Sequence, residues 1–473
     1  MEITIKLNDM SHRYAVYHIF NIFYTFDDIK FVEESAQFEV EIDEKIKLKN
    51  DKIERVYNFD EERNKECIKR AVFKFLEEVT GDNYPWGTLI GIRPSKIALK
   101  LLNEGKSNDE VIKYFSDKYL ASVEKTQLCI DVAEKEKSFV NKKENSIAVY
   151  IGMPFCPTRC LYCSFAANPI AGCKSLVELY LESLYKEIKA ISSYIDEKQL
   201  YVESVYFGGG TPTSINNEQF HETIKLVYNS FVKCRNVKEF TVECGRPDSI
   251  TEEKLKSMKE YDVTRISINP QSMNDDTLKV IGRHHTVESV KEKFNLARKL
   301  GFDNINMDII LGLPNEGIDE VENTVRQIKD LSPDSLTIHG LSIKRASRLH
   351  ENIVLKHEVS IAKQDELVKM YKATNNLALS IGLEPYYMYR QKNMVGNMEN
   401  LGFSKPGKEC IYNIEMIEER QTIIALGADA VSKVVNFETG KIKRFGNVKD
   451  VREYADRIDE MIEKKINLLD TIY

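Results

Sequence analysis

Val149-Tyr-Ile-Gly-Met-Pro-Phe-Cys156-Pro-Thr-Arg-Cys160-Leu-Tyr-Cys163 carries an apolar, strand-like stretch straight into three cysteines spaced C-x3-C-x2-C. Three of the chain's nine cysteines thus fall within one short loop, while Cys67, Cys129, Cys173, Cys234, Cys244 and Cys410 are scattered. Scattered cysteines in a chain this long read as small buried hydrophobes. A cluster of them in a reducing compartment points to metal or redox chemistry rather than to a disulfide framework. Thiolates are soft ligands, suited to iron–sulfur clusters or zinc. A structural zinc site takes four ligands, so a zinc knuckle would need a distant fourth such as Cys173, and C-x3-C is unusual for zinc ribbons. Three cysteines suit a 4Fe-4S cube with one iron left open. That iron can chelate the amino and carboxylate groups of S-adenosylmethionine, and the cofactors then carry the difficult chemistry.

Outward from this loop, short apolar runs alternate with longer amphipathic segments: SIAVYIGM, VESVYFGGG, EFTVECG, TRISIN, INMDIILG and DSLTIHG. Between the first two, Leu181, Leu184, Ile188, Ile191 and Ile195 recur at helical spacing. Strands alternating with helices in this way indicate βαβ units, a parallel sheet and an α/β barrel or partial barrel. In such barrels the functional residues lie at the carboxyl ends of the strands. Most of the motifs here end or directly follow a strand.

Gly208-Gly209-Gly210-Thr211-Pro212 follows the strand SVYF, about forty-five residues after Cys163. Glycines let the backbone approach a ligand closely, although a tight strand-to-helix connection has the same composition. Glu243 ends EFTVE, where its carboxylate could accept from a ribose or an amino group, or simply be solvated. Gln271 and Arg283 follow the next strand, and a guanidinium is well suited to a cofactor carboxylate. Asp308 is a charge inside the apolar run INMDIILGLP and needs a partner there. His284 and His285 suggest proton donors, although a surface or capping pair is the commoner arrangement. Arg390, Lys392, Lys405 and Lys408 form a basic set that could hold substrate carboxylates, against the ordinary reading of solvated surface charge.

The first 145 residues mix strand-like and helical stretches. EITIKL and Phe38–Lys47 read as strands, the second on the alternation of Phe38, Val40 and Ile42, and a helix is expected over about 61–80. EKEKSFVNKKEN, residues 134–145, is charged and apolar-poor and reads as a linker. Three regions are therefore expected: 1–145, an α+β domain; 146–345, the barrel; and 346–473, a mixed extension over the substrate. In the last, a helix is expected over 363–381 and another over 415–426, EMIEERQTIIAL, followed by a hairpin in NFETGKIKRF. The 473 residues are 42% hydrophobic and 30% charged, with a net charge of −7. That balance argues against broad nucleic-acid affinity. No apolar run reaches the roughly 18 residues of a membrane span and no leader pattern opens the chain, so a cytoplasmic protein is expected.

The ordered series VYIGMPFCPTRCLYC, FGGGTPT, TVE, ISINPQS, GRHH and NMDIILGLP resembles the radical SAM superfamily, in particular its oxygen-independent coproporphyrinogen III oxidase-like branch. PWGTLIGIRPSK, VECGRPD and MYRQKNM resemble the HemZ-type, or coproporphyrinogen dehydrogenase, subgroup. The branch likeness covers about 146–345, and the subgroup segments extend it over most of the chain. The resemblance implies a partial (β/α)6 radical SAM barrel. Its 4Fe-4S cluster would be held by Cys156, Cys160 and Cys163. S-adenosylmethionine would be contacted by Gly209, Gly210, Thr211, Glu243, Gln271, Arg283 and Asp308, with Tyr150 and Tyr162 near cofactor or cluster. It implies oxidative decarboxylation of a tetrapyrrole, coproporphyrinogen III, to protoporphyrinogen IX in haem biosynthesis, with an external electron donor and acceptor. Two positions depart from the family pattern. Phe165 stands where the oxidases carry a further cysteine, and Gly152 where they carry a histidine. Cys-x-Phe is the form of related haem chaperones. A radical enzyme on another tetrapyrrole and a haem-binding chaperone that retains the cluster therefore remain alternatives.

Overall fold

The computed structural model describes residues 2–24, 28–60, 64–90, 93–140, 143–164, 168–344, 346–354, 360–391 and 394–473, with side chains omitted at 353–354. The amino-terminal part forms a five-stranded sheet from β1 (Glu2–Leu7), β2 (Asp28–Phe31), β3 (Phe38–Ile42), β4 (Lys45–Lys49) and β5 (Glu54–Asn58), in the order β2-β1-β3-β4-β5. Helices α1 (Arg13–Phe23) and α2 (Lys65–Thr80) pack on it, burying Ile5, Val16, Phe20, Ile46, Val72 and Phe75 in a core of their own. The expected strand over 38–47 is instead a hairpin, with Ile42 paired to Ile46 across Asp43-Glu44-Lys45. Three residues lie between this pair, so the two strands keep the same parity and the every-second-residue alternation stays in phase, and the pattern does not reveal the turn. Helices α3 (Pro94–Asn103), α4 (Asn108–Tyr119) and α5 (Val123–Glu136) put Ala98, Phe115, Ile130 and Ala133 into a second core, which they share with the large sheet.

Among the described residues that sheet has eleven strands. The six expected ones are β6 (Ser146–Met153), β9 (Tyr201–Gly209), β10 (Glu239–Glu243), β11 (Arg265–Ser267), β12 (Ile305–Leu311) and β13 (Ser335–Gly340). The two-residue strands β7 (Phe155–Cys156) and β8 (Asn168–Pro169) pair within the cysteine loop. The six are parallel neighbours, connected by α6 (Lys174–Glu197), α7 (Asn217–Val227), α8 (Glu252–Glu260), α9 (Asp275–Val280), α10 (Val287–Lys299) and α11 (Ile318–Leu331). After α12 (Arg348–Val354) and α13 (Gln364–Ser380), the chain adds β14 (Glu384–Tyr389) and β15 (Asn400–Ser404) antiparallel beyond β13. It then crosses through α14 (Ile411–Glu418) to the other edge. There β16 (Thr422–Leu426) runs parallel to β6, and β17 (Val431–Val435) and β18 (Ile442–Gly446) follow as the expected hairpin. Helices α15 (Val451–Asp456) and α16 (Ile458–Leu469) close the chain. No helix among the described residues is long and apolar enough to cross a membrane.

The expected helix over 415–426 is overturned: it stops at Glu418, Glu419 turns left-handed (φ 54°), and Thr422–Leu426 is a strand buried at every position. A short apolar run suits either state by itself. Five consecutive pairings with Ile147–Ile151 of β6 make it a strand.

Along β6, Ile147, Val149, Ile151 and Met153 face the helices, whereas Ala148 and Tyr150 face inward. The period-two rule thus sorts apolar residues outward and tyrosines and polar groups into the barrel. Inside, Tyr412 stacks on Tyr206 with ring centres 4.4 Å apart, and both lie 6.0–6.1 Å from Tyr150. Tyr412 reaches this position because Glu239, at the amino end of β10, accepts the Ile411 N–H at 2.7 Å and anchors the start of α14. This end of the barrel is therefore plugged, and the mouth is at the carboxyl ends of the strands.

The subgroup-like segments PWGTLIGIRPSK and MYRQKNM touch each other. Trp86 Nε1 donates to Glu399 Oε2 at 2.7 Å, Lys125 Nζ sits 2.6 Å from Glu399 Oε1, and the Arg390 guanidinium lies 4.8 Å from the Trp86 ring centre. Lys125 and Glu399 are both buried. Removing one partner of a buried pair leaves the other charge uncompensated. Glu399→Ala is expected to cost about 3–5 kcal/mol, read as a lowered urea midpoint. A midpoint equal to wild type would contradict this account of how the amino-terminal helices are attached.

Candidate active site

The cysteine loop leaves β6 at the barrel mouth. It is tied to the α9 end by Leu161 N–H to Ile281 O (2.9 Å) and Thr158 Oγ1 to Gly282 O (3.1 Å). It is tied to the segment after β13 by Leu349 N–H to Leu161 O (3.0 Å). Cys160 is buried, and Cys156 and Cys163 are partly exposed. Burial, with the other two thiols adding to it, pushes the Cys156 thiol up to about 11. Cys156 is therefore a neutral thiol near pH 7 while no metal is bound, and a bound metal would make it a thiolate. Among the described residues no group of three His, Cys, Asp or Glu side chains could hold a metal ion. Phe165 lies outside the described residues.

The glycine segment is explained first by packing. A Cβ on Gly209 (φ 101°) would lie 2.8 Å from Met153 N, and one on Gly210 would lie 2.6 Å from Phe155 O and 3.0 Å from Cys156 Sγ. Gly210 N–H donates to Met153 O (2.6 Å) and Thr211 N–H to Phe155 O (2.8 Å), while Thr211 Oγ1 donates to Cys156 Sγ at 3.3 Å. These N–H groups are engaged with the cysteine loop, so this segment positions the first cysteine. Gly208 leaves room for Glu243, whose Oε2 would be 2.8 Å from a Cβ there.

Glu243 accepts the Tyr206 hydroxyl, and burial pushes its carboxyl up to about 7. Asp308 has the partners its position demands. Asn306 Nδ2 donates to its Oδ1 at 2.7 Å, and His339 Nε2 is 3.7 Å from its Oδ2. Burial raises the Asp308 carboxyl, but His339, Asn306 and Thr337 together outweigh it and hold it below the usual carboxylate value. Gln271 adopts a left-handed φ of 67°, and its N–H donates to Asp308 O at 2.9 Å. Ser267 Oγ, Asn269 Oδ1 and Gln271 Oε1, every second residue along one line, are buried without hydrogen-bond partners. A row of unsatisfied polar atoms beside two carboxylates calls for a polar ligand.

The Arg283 guanidinium donates to the carbonyls of Asn269, Pro270 and Gly245 and faces Cys160 and Tyr162, while its buried Nε has no hydrogen-bond partner. His285 is buried, and burial with the adjacent Arg283 pushes it down to about 3, so it is a neutral interior group and neither surface nor cap. The proposed carboxylate-binding basic set does not assemble. Arg390 is buried on the Leu89 and Asn397 carbonyls. Lys405 and Lys408 pair with Asp334 (3.0 Å) and Asp303 (2.9 Å) at the opposite end of the strands, and Lys392 lies outside the described residues. A cleft of about 610 Å³ opens at that opposite end, but Lys238 and Lys408 in its wall are already paired with Glu203 and Asp303. It stands far from the cysteines and carries no part of this chemistry. Sequence reading passed over Arg246, Tyr206 and His339. Arg246 and His339 lie within the quoted runs VECGRPD and DSLTIHG, but which groups they face depends on the fold.

Residues 150–328 match the radical SAM superfamily. The oxygen-independent coproporphyrinogen-III oxidase-like protein HemZ of Bacillus subtilis is 42% identical over 412 residues, 86% of this chain and 82% of its own length. The chain belongs to this HemZ-type family of radical SAM proteins. The heme chaperone HemW of Bacillus subtilis is 28% identical over 313 residues, 66% of this chain and 76% of its own. In fold, the chain matches the Escherichia coli coproporphyrinogen III oxidase HemN, a radical SAM enzyme, with a TM-score of 0.52 and 19% identity over 69% of this chain and 72% of that one. The partial radical SAM barrel and the cofactors, a 4Fe-4S cluster and S-adenosylmethionine, follow from this membership. The residues present fit both groups: three thiols in one anchored loop, and an unsatisfied polar row between Glu243 and Asp308.

Proposed function

We propose that this chain is a radical SAM oxidoreductase that converts coproporphyrinogen III to protoporphyrinogen IX by oxidative decarboxylation of propionates. The observation that carries the reading is the arrangement of the mouth, where the cysteine loop faces two carboxylates and a row of unpartnered polar atoms. HemZ, related over most of both chains, supports the choice of substrate. Cys156, Cys160 and Cys163 hold the cluster, and Tyr162 packs against it. Gly209, Gly210 and Thr211 fix the first cysteine. Glu243, Asn269, Gln271 and Asp308 receive the polar groups of S-adenosylmethionine, above a floor formed by Tyr150, Tyr206 and Tyr412. When bound, the cofactors supply one-electron cleavage of the sulfonium and hydrogen abstraction from a propionate β-carbon. Loss of CO2 leaves a vinyl group and one electron, which passes to an external acceptor; another external donor reduces the cluster. The chain's own part is to orient the two ligands and exclude water.

The HemW relatives favour a second reading, a haem chaperone that keeps the cluster. Anaerobic reconstitution, then dithionite, S-adenosylmethionine and coproporphyrinogen III, separates the readings. Vinyl product in step with 5′-deoxyadenosine is expected. Tight haem binding without deoxyadenosine would make the protein a chaperone. Deoxyadenosine without vinyl product would assign another tetrapyrrole.

A further inference from the structure

Arg246 lies just past β10 and is 2% exposed. Its Nε and Nη2 donate to the two oxygens of Asp248 at 3.0 and 2.8 Å, a bidentate clamp that fixes the plane of the guanidinium. The clamp leaves Nη1 directed at the cysteine loop, 2.9 Å from Thr158 Oγ1 and 3.8 Å from Cys160 Sγ. Thr158 gives its own proton to Gly282 O, so its oxygen is free to accept from Arg246. Arg283 approaches the same sulfur from its carbonyl cradle. Cys160 is thus met by two buried guanidiniums, while Cys156 receives a neutral hydroxyl from Thr211. Asp248 is 25% exposed and puts one negative charge behind Arg246.

From this we infer that Arg246, held by Asp248, donates a charge-assisted hydrogen bond to Cys160 and raises the reduction potential of the cluster. The inference rests on the reading that Cys160 is a cluster ligand. Reduction adds negative charge to a buried site, and a fixed N–H donor on a ligand sulfur stabilises the added electron. Asp248 both aims the guanidinium and offsets its charge; Asp248→Asn keeps a carbonyl oxygen for Nε and so still orients Arg246 while removing the offsetting charge, which gives the two substitutions opposite signs. Arg246 is a positioning residue that touches a ligand sulfur and not the substrate. A lysine in its place could not clamp Asp248 and reach the sulfur together.

The test is an EPR-monitored redox titration of the reconstituted full-length protein, with iron and sulfide assayed in parallel and no substrate present. Arg246→Gln with full iron content is expected to make the cluster at least tenfold harder to reduce, a fall of about 59 mV for one electron. Asp248→Asn is expected to move the midpoint upward. Both variants at the wild-type midpoint, or both displaced in the same direction, would overturn the inference. If Arg246→Gln takes up no iron, Asp248→Asn decides alone: an upward shift supports the inference, and no shift or a downward one overturns it. Failure of the underlying ligand assignment would show itself separately, as iron retained by Cys160→Ala.

Discussion

Cys160→Ala is expected to remove the brown chromophore, bring iron to background and end reductive formation of 5′-deoxyadenosine. Outer partners of metal ligands typically cost about 10–100-fold in affinity or activity when changed, and loss of a ligand itself must exceed that. Cys160 is the buried member of the three, and the loop around it is tied at Leu161 to both Ile281 and Leu349. A small side chain at 160 leaves those backbone bonds in place, so the variant should fold without its cluster. Cys173→Ala is the control. Cys173 stands at the N-cap position of α6 beyond the loop without a side-chain capping bond, and a zinc knuckle would need it whereas a 4Fe-4S cube does not. Iron unchanged in Cys160→Ala, or lost in Cys173→Ala, would contradict the assignment.

Glu243→Gln is expected to weaken S-adenosylmethionine binding by about 10–100-fold, as loss of a hydrogen bond to a charged group does. It should also remove a pH dependence. With its carboxyl raised to about 7 by burial, wild-type Glu243 is mostly protonated at pH 6 and mostly ionised at pH 8. A ligand that donates to the carboxylate binds the ionised form, so affinity rises with pH through this range, by about tenfold overall. Equilibrium binding to the reconstituted, unreduced protein at several pH values checks both points. The difference between the wild-type and Glu243→Gln profiles isolates this carboxyl from titration of the ligand. Parallel profiles would remove Glu243 from the site.

The barrel was legible because its signal is periodic. SIAVYIGM and its five successors each place apolar residues outward, and the helices between them keep their 3.6-residue repeat. The site motifs were legible because they end strands. β16 was not, since TIIAL is a buried run that its neighbours β6 and β17 define as a strand. The hairpin at Asp43-Glu44 was hidden by a turn that preserves the alternation. Charged residues misled for a related reason. Arg390, Lys405 and Lys408 look like a patch in sequence, yet each is taken up by a carbonyl or carboxylate brought to it by the fold. Asp308 shows the converse: its need for a partner could be read, but His339 is supplied by the adjacent strand, where Ile310 pairs with His339. Arg246 is visible in VECGRPD, and only its clamp on Asp248 reveals that Nη1 points at Cys160.

Coproporphyrinogen III deuterated at the propionate β-carbons tests the central claim most directly. With the reconstituted protein, dithionite and S-adenosylmethionine, the account predicts deuterium in 5′-deoxyadenosine together with a vinyl product. Unlabelled deoxyadenosine, or none while haem remains bound, would contradict it.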